Sequence, residues 1–308
     1  MYICRCELAN HSNHTHTMAV IRTSANAIRR GRVGDTTYYY RNGQQIARQS
    51  RNNSNYGGMA TRLPVQQANR VKWANLVNFF KVGRLWMKGA FESKKPNQTD
   101  YNAFMSRNKS ANPVCLNKTQ ASQSCCCAYP YIVSQGSLAP IGYEFVDGEG
   151  FSTGINLGSA ITLNSATIGA VSQAIIDNNV AWRDGDNLAI VVLGTYKDDD
   201  NNPYTLSRYY EFTLNTTSSA LFSTLPFAEY SVKSEDNVWM LDLDSMPLAG
   251  DRSCALIHTR IDGGLKVSSQ TLAVISPNVY QRLTTAEWEA ECAASYGVDD
   301  EVLLEPTD

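Results

Sequence analysis

From about residue 121 onward the chain is a succession of short β-prone runs separated by turn residues, and that texture limits the fold more than any other feature. The runs are AYPYIVSQGSL, IGYEFV, GSAITLNSA, DNLAIVVLGTY, SRYYEFTLN, NVWMLDLD, SCALIHTRI and LKVSSQTLAVI. Short strands with turn signals between them predict a β-sandwich-like domain. One helical stretch, IGAVSQAIIDNN, interrupts the series, and TTAEWEAECAASYG has the pattern of a short amphipathic helix.

The earlier part of the chain has a different texture. In VGDTTYYYRNGQQIARQS two β-prone stretches flank Arg41-Asn42-Gly43-Gln44. Asn-Gly supplies the positive φ angles of a type I′ turn, which predicts a hairpin over about residues 33–50. RNNSNYGGMATRL reads as a loop. Pro64 then opens a helix in which Val71, Ala74, Leu76, Val77, Phe79 and Phe80 recur at helical spacing, and Gly83 closes it. Thr99 or Asp100 is placed to cap a second helix, DYNAFMSRN. Residues 22–32 have little apolar periodicity. The expected class is α+β: a basic arm over 1–32, a hairpin and helical module over 33–120, a β-rich sandwich-like domain with an inserted helix over 121–296, and an acidic tail over 297–308.

The net charge of −2 conceals a separation of charge. Residues 1–120 hold 19 Lys and Arg against 4 Asp and Glu, whereas residues 121–308 hold 8 against 25. Arg22, Arg29, Arg30, Arg32, Arg41, Arg48, Arg51 and Arg62 crowd into a stretch whose acids are Glu7 and Asp35. Like charges this dense repel within a Debye length, about 8 Å at physiological salt. An anionic partner is therefore expected. The acidic half of a neighbouring copy, with Asp299, Asp300 and Glu301, is the first choice, and nucleic acid is the second. Neutralisation between the two halves of a single chain is the third reading.

The residues of common catalytic and metal sites are sparse or wrongly spaced. Beyond residues 11–16 the sequence has a single histidine, His258, inside a strand-like run, and no GxSxG or GxxxxGK[ST] motif. Cys4, Cys6, His11, His14 and His16 have zinc chemistry but no standard spacing. Cys125-Cys126-Cys127 cannot converge on one metal without a sharp bend, so buried thiols are expected. Asp198–Asn202 resembles a calcium loop but has Pro203 where glycine is needed and Tyr209 where glutamate is needed, so a hairpin turn is expected. DGEGFSTG reads as a loop. Asp242 and Asp244 are expected to share one face of a strand. Sequence offers no run of ~20 apolar residues for a membrane helix, and no apolar core for a signal peptide near the first residue.

One further set of residues carries a resemblance. Gly31, Gly34, Tyr40, Gly43, Arg48, Gln67, Arg70, Tyr101, Asn102, Asn108, Gly136, Ser137 and Leu138 fall in a strand, hairpin, helix, helix and strand order. This order resembles an uncharacterised domain family of Bacteroidota and their phages, including crAss-like phages, over about residues 29–140. The first 17 residues, the Cys125–Cys127 run and Arg62-Leu63-Pro64 depart from its pattern. The resemblance implies a virion component without enzymatic activity, made in the host cytoplasm. The expected role is a structural tail or collar subunit that forms a cyclic homo-oligomer and contacts other virion proteins, with no cofactor, metal or membrane. The alternatives are a nucleic-acid-binding packaged protein, a bacterial surface or carbohydrate-binding module, and a hydrolase using His258.

Overall fold

The computed structural model describes residues 18–21, 31–33, 36–41, 44–49, 64–95, 97–146, 150–275 and 281–296. It is a mixed α+β structure of two units, Met1–Thr61 and Arg62–Asp308. The divisions expected at residues 32 and 120 give way to this one at residue 61.

The first unit is a four-stranded antiparallel sheet in the order β1-β4-β3-β2, made of β1 Met18–Ile21, β2 Gly31–Val33, β3 Thr36–Arg41 and β4 Gln44–Gln49. The hairpin is present: β3 and β4 pair from Thr36↔Gln49 to Arg41↔Gln44. Asn42 and Gly43, which link them, lie outside the described residues. The expected arm over 1–32 is corrected at two places. Met18–Ile21 is an apolar stretch that pairs with β4, setting Val20 opposite the buried Ile46, and Gly31–Val33 pairs with β3.

The second unit is organised around β8 Asn187–Lys197, β9 Pro203–Thr213 and β12 Asp251–Ile261. These strands form the sheet β13-β12-β8-β9, with β13 Leu265–Val267 and, beside β12, β15 Ala273–Val274. Strand β8 is apolar at consecutive positions because both of its faces are covered. Leu188, Ile190 and Val192 enter one core, together with Leu256 of β12. That core also takes Phe151 and Ile155 of β7 Gly150–Asn156 and Trp239 and Leu241 of β11 Val238–Leu241. Strands β7 and β11 belong to a second sheet, β10-β11-β7-β6, with β6 Glu144–Val146 and β10 Ser231–Lys233. Helix α4, Ile168–Asn178, adds Val171 and Ile175 to the same core.

Ala189, Val191 and Leu193 point the other way, with Ala255 and Ile257 of β12, into a second core. Here they meet Leu76 and Phe79 of α1 Pro64–Gly83 and Phe104 and Met105 of α2 Asp100–Asn108. The helical module expected over 33–120 is thus corrected. Its helices have no separate core and cover one face of the five-stranded sheet. Phe79 and Phe104 stack at 6.0 Å, and Tyr131 closes on both rings.

Helix starts follow their caps. Thr99, Thr167 and Thr285 accept from the backbone N–H groups of Asn102, Ala170 and Trp288, opening α2, α4 and α5 Ala286–Ser295. Asn117 opens the short α3, Lys118–Ser122, with a reciprocal capping box to Gln120. Asp198–Asn202 is the β8–β9 turn, closed by Asp198, whose side chain accepts from the N–H groups of Asp200 and Asn202. Three local expectations fail. GSAITLNSA is turns rather than a strand, and residues 150–154 of the supposed DGEGFSTG loop belong to strand β7. Asp242 and Asp244 follow the end of β11 in a turn, where Asp242 accepts from the N–H and hydroxyl of Ser245.

Candidate functional site

Of the eight arginines expected to form an interface, Arg32, Arg41 and Arg48 lie on described strands. Arg22, Arg29, Arg30, Arg51 and Arg62 lie outside the described residues, as do Asp299, Asp300 and Glu301. The register connects the three that remain. Arg32 pairs with Thr37, Thr37 with Arg48, and Arg48 with Met18, so positions 32 and 48 occupy one row across the sheet. Alternation along β3 carries the same face from Thr37 through Tyr39 to Arg41. The first unit therefore gathers three arginine positions and a tyrosine on one sheet face, and Arg48 is exposed.

In the second unit the most concentrated polar cluster surrounds His258, which follows Leu256 on the inward face of β12. Its Nε2 lies 2.8 Å from Asp186 Oδ2, and its ring stacks on Trp182 at 4.0 Å. Arg260, two residues further along the same face, donates from Nε and Nη2 to Asp186 at 2.7 and 2.6 Å, and the Arg183 N–H donates to it at 2.8 Å. Burial raises the pKa of Asp186, but these donors outweigh burial and hold its carboxyl below the usual carboxylate value. An ionised carboxylate only accepts, so Nε2 of His258 carries the proton. Burial, assisted by Arg260, lowers the pKa of His258, leaving the ring neutral at pH 7. His258 and Asp186 are each 1% exposed. The cluster ties β12 to the turn that precedes β8, and a hollow of about 280 Å³ beside it is lined by Asp186 and Arg260.

The cysteine run is also interior. Cys125, Cys126 and Cys127 are buried, and desolvation raises all three thiols, Cys126 to about 11. They are thiols at neutral pH and are not activated nucleophiles. Asn75 of α1 holds this run, accepting from Cys127 N–H at 2.8 Å while its amide donates to Cys127 O and Tyr131 Oη. Among the described residues no group of three His, Cys, Asp or Glu could hold a metal ion. The cluster of Cys4, Cys6, His11, His14 and His16 lies outside them.

Several residues of the resembling set make internal contacts in this unit. Asn108 donates to Ile132 O and accepts from Ile132 N–H, fastening α2 to β5 Ile132–Ser134. Tyr101 packs edge-on against Phe80. Ser137 donates its N–H and hydroxyl to Glu92, which also accepts from Val267 N–H. Burial opposes ionisation of Glu92, yet these donors keep its carboxyl below the usual value. Gly136 sits where a Cβ would lie 2.2 Å from Val267 O, so a side chain there would push the two segments apart.

A hollow of about 650 Å³ lies beside β6, β7, β10 and β11, lined by Glu144, Ser152, Lys233, Glu235, Asp236 and Val238 among others. Among the described residues no aromatic side chain lines it. No helix among the described residues is long and apolar enough to cross a membrane. Sequence reasoning missed Asp186, Arg260 and Trp182. The one local signal was His258 and Arg260 alternating on the face that also carries Cys254 and Leu256. Comparison with protein-family models, curated proteins and solved structures finds no match to this chain.

Proposed function

We propose that this chain is a non-enzymatic structural subunit of a bacteriophage particle, a tail or collar ring component that assembles head to tail with itself and with neighbouring virion proteins. The observation that carries the reading is the separation of charge along the chain. The first unit holds 8 Arg and no Lys against Glu7 and Asp35, a net of +6, which leaves the second at −8. Among the described residues, Lys72–Glu289 is the ion pair that joins a base of residues 1–120 to an acid of residues 121–308. Neutralisation within one chain would require many such pairs. Unlike surfaces on one subunit favour a heterologous contact, which closes into a ring when the rotation permits. The phage-family resemblance supplies the virion setting. The two sheets that face each other across one core fit the sandwich-like module in this reading.

Mass photometry of the full chain should show closed oligomers at ~0.05 M salt that fall to monomers near ~0.5 M, where the Debye length approaches a single contact distance. A monomer under both conditions would remove the ring. Mass spectrometry of purified virions should find the protein in multiple copies, and its absence there would remove the virion setting.

A second reading, nucleic-acid binding, is favoured by the arginine excess of residues 22–62 and the exposed Arg48. Phosphate binding needs only basic groups at the surface. On this reading Arg32→Glu, Arg41→Glu and Arg48→Glu together lower affinity for single-stranded DNA by at least ~tenfold and flatten its salt dependence. A gel shift unaffected by the triple change would eliminate this reading.

A further inference from the structure

The outer face of α1 carries a groove of about 310 Å³ that no contact described above fills. Trp73 and Val77 line it, Ala121 at the end of α3 forms one side, and Arg70 and Lys81 mark its two ends along the helix. Positions 70, 73, 77 and 81 follow helical spacing. The groove is therefore one stripe of α1, about 16 Å long at 1.5 Å per residue. Trp73 is 43% exposed, which leaves a large aromatic surface in water. Arg70 has no ion pair among the described residues, and Lys81 donates to the neutral Asn78 at 2.9 Å. Lys72, on an adjacent face, is already paired with Glu289.

We propose that this groove seats residues 298–304 of the same chain, Val298-Asp299-Asp300-Glu301-Val302-Leu303-Leu304. Tyr296 forms part of the groove wall at the Arg70 end, so Gly297 alone separates the wall from the segment. Seven extended residues reach about 24 Å, enough to run the length of the stripe. The segment has the right composition. Three consecutive acids suit a groove with a cation at each end, and Val302, Leu303 and Leu304 suit Trp73 and Val77. Residues 297–308 contain Asp299, Asp300, Glu301, Glu305 and Asp308 with no Lys or Arg. The other long stretches outside the described residues, 1–17, 22–30 and 50–63, all contain arginine. A tether of one residue gives an effective concentration on the order of millimolar or more, which favours the chain's own groove over a neighbour's. The inference does not depend on the assembly reading. It moves Asp299, Asp300 and Glu301 from a neighbour's basic face to this chain's own α1.

The test compares the full chain with one lacking residues 297–308, using a fluorescent peptide of residues 297–308 as the probe. The peptide should bind the shortened chain at least tenfold more tightly than the full chain, whose groove is occupied. Arg70→Glu with Lys81→Glu, or Trp73→Ala, should each weaken binding to the shortened chain at least tenfold. In the full chain, Arg70→Glu with Lys81→Glu should expose the segment, so that a glutamate-specific protease cuts after Glu301 at least tenfold faster. This arm stands even if the shortened chain fails to fold. Self-association should be unchanged by the deletion. Equal peptide binding to both chains, no binding to a folded shortened chain, or an unchanged cleavage rate would overturn the proposal. An oligomer that dissolves on deletion would overturn it in favour of a neighbour's groove.

Discussion

Replacing Arg260 with alanine is expected to destabilise the second unit by about 3–5 kcal/mol at pH 7, the range for removing one partner of a buried ion pair. Asp186 is 1% exposed and keeps the Arg183 N–H and His258 Nε2 as donors after the change, but no compensating charge. The pH dependence should change sign. In the native protein the pKa of His258 lies below its ordinary 6.5. The unfolded chain then takes up the proton first, so this group's contribution is complete above about pH 6.5 and is lost as the pH falls below it. Without Arg260 the nearest charge to His258 is an uncompensated carboxylate, which raises the histidine pKa. Its contribution is then present below about pH 6.5 and is lost as the pH rises through the new value. The variant's deficit should therefore shrink between pH 7 and pH 5.5. In the native protein Asp186 titrates outside this window, since its lowered pKa matters only below about pH 3.8. Urea unfolding at the two pH values measures both effects. A deficit under about 1 kcal/mol at pH 7, or one that grows on acidification, would show that Arg260 is not the counter-charge that Asp186 needs.

Elements defined by nearby residues were legible in the sequence. Asn42-Gly43 between two β-prone stretches led to the β3–β4 pairing. Thr99, ahead of DYNAFMSRN, marked the start of α2, and Gly83 marked the end of α1. Strand β7 was hidden because its alternating Phe151, Thr153 and Ile155 are interspersed with Gly150 and Gly154, which look like loop residues. In GSAITLNSA the apolar residues suggested a strand, yet Leu163 reaches the core from a turn.

The unit boundary was misplaced for a reason that the sequence does contain. NLAIVVLG is apolar at consecutive positions, and a strand with one wet face would alternate. That pattern requires a cover on each side of β8, and with one side taken by a sheet, the helices of residues 64–108 are available for the other. Treating them as a separate module left half of β8 without a partner. The buried ionic cluster was less accessible. Asp186 and Arg260 are 74 positions apart and meet only because β12 pairs with β8 in the register that sets His258 opposite Leu188. No local pattern encodes that register. The arginine-rich stretch was legible as a charge excess, while the row that joins positions 32 and 48 emerged only from the pairing of β2, β3 and β4.

Asn75→Leu is expected to cost about 3 kcal/mol, because it leaves several buried polar groups unpaired at about 1–3 kcal/mol each. Asn75 is fully buried. Its side chain satisfies both the N–H and the C=O of Cys127, and it donates to Tyr131 Oη at 2.7 Å. Leucine is close in volume, so the loss is one of hydrogen bonds rather than of packing. Tyr131→Phe is the comparison. Tyr131 Oη donates to Asn112 Oδ1, which still accepts from Val114 N–H after the change, and the Asn75 amide keeps Cys127 O. No backbone group loses its partner in Tyr131→Phe, so its cost should stay near 1 kcal/mol. A thiol-reactive probe supplies a second readout. Asn75 and Asn78 of α1 anchor Cys127 and Cys125, Asn78 donating to Cys125 O at 2.9 Å, while Thr205 of β9 donates to Cys126 O. Local opening should therefore label these thiols much faster in Asn75→Leu than in the native chain, while Tyr131→Phe should label close to the native rate. Equal unfolding free energies for the two variants, with labelling unchanged in both, would show that the cysteine run is held by packing alone.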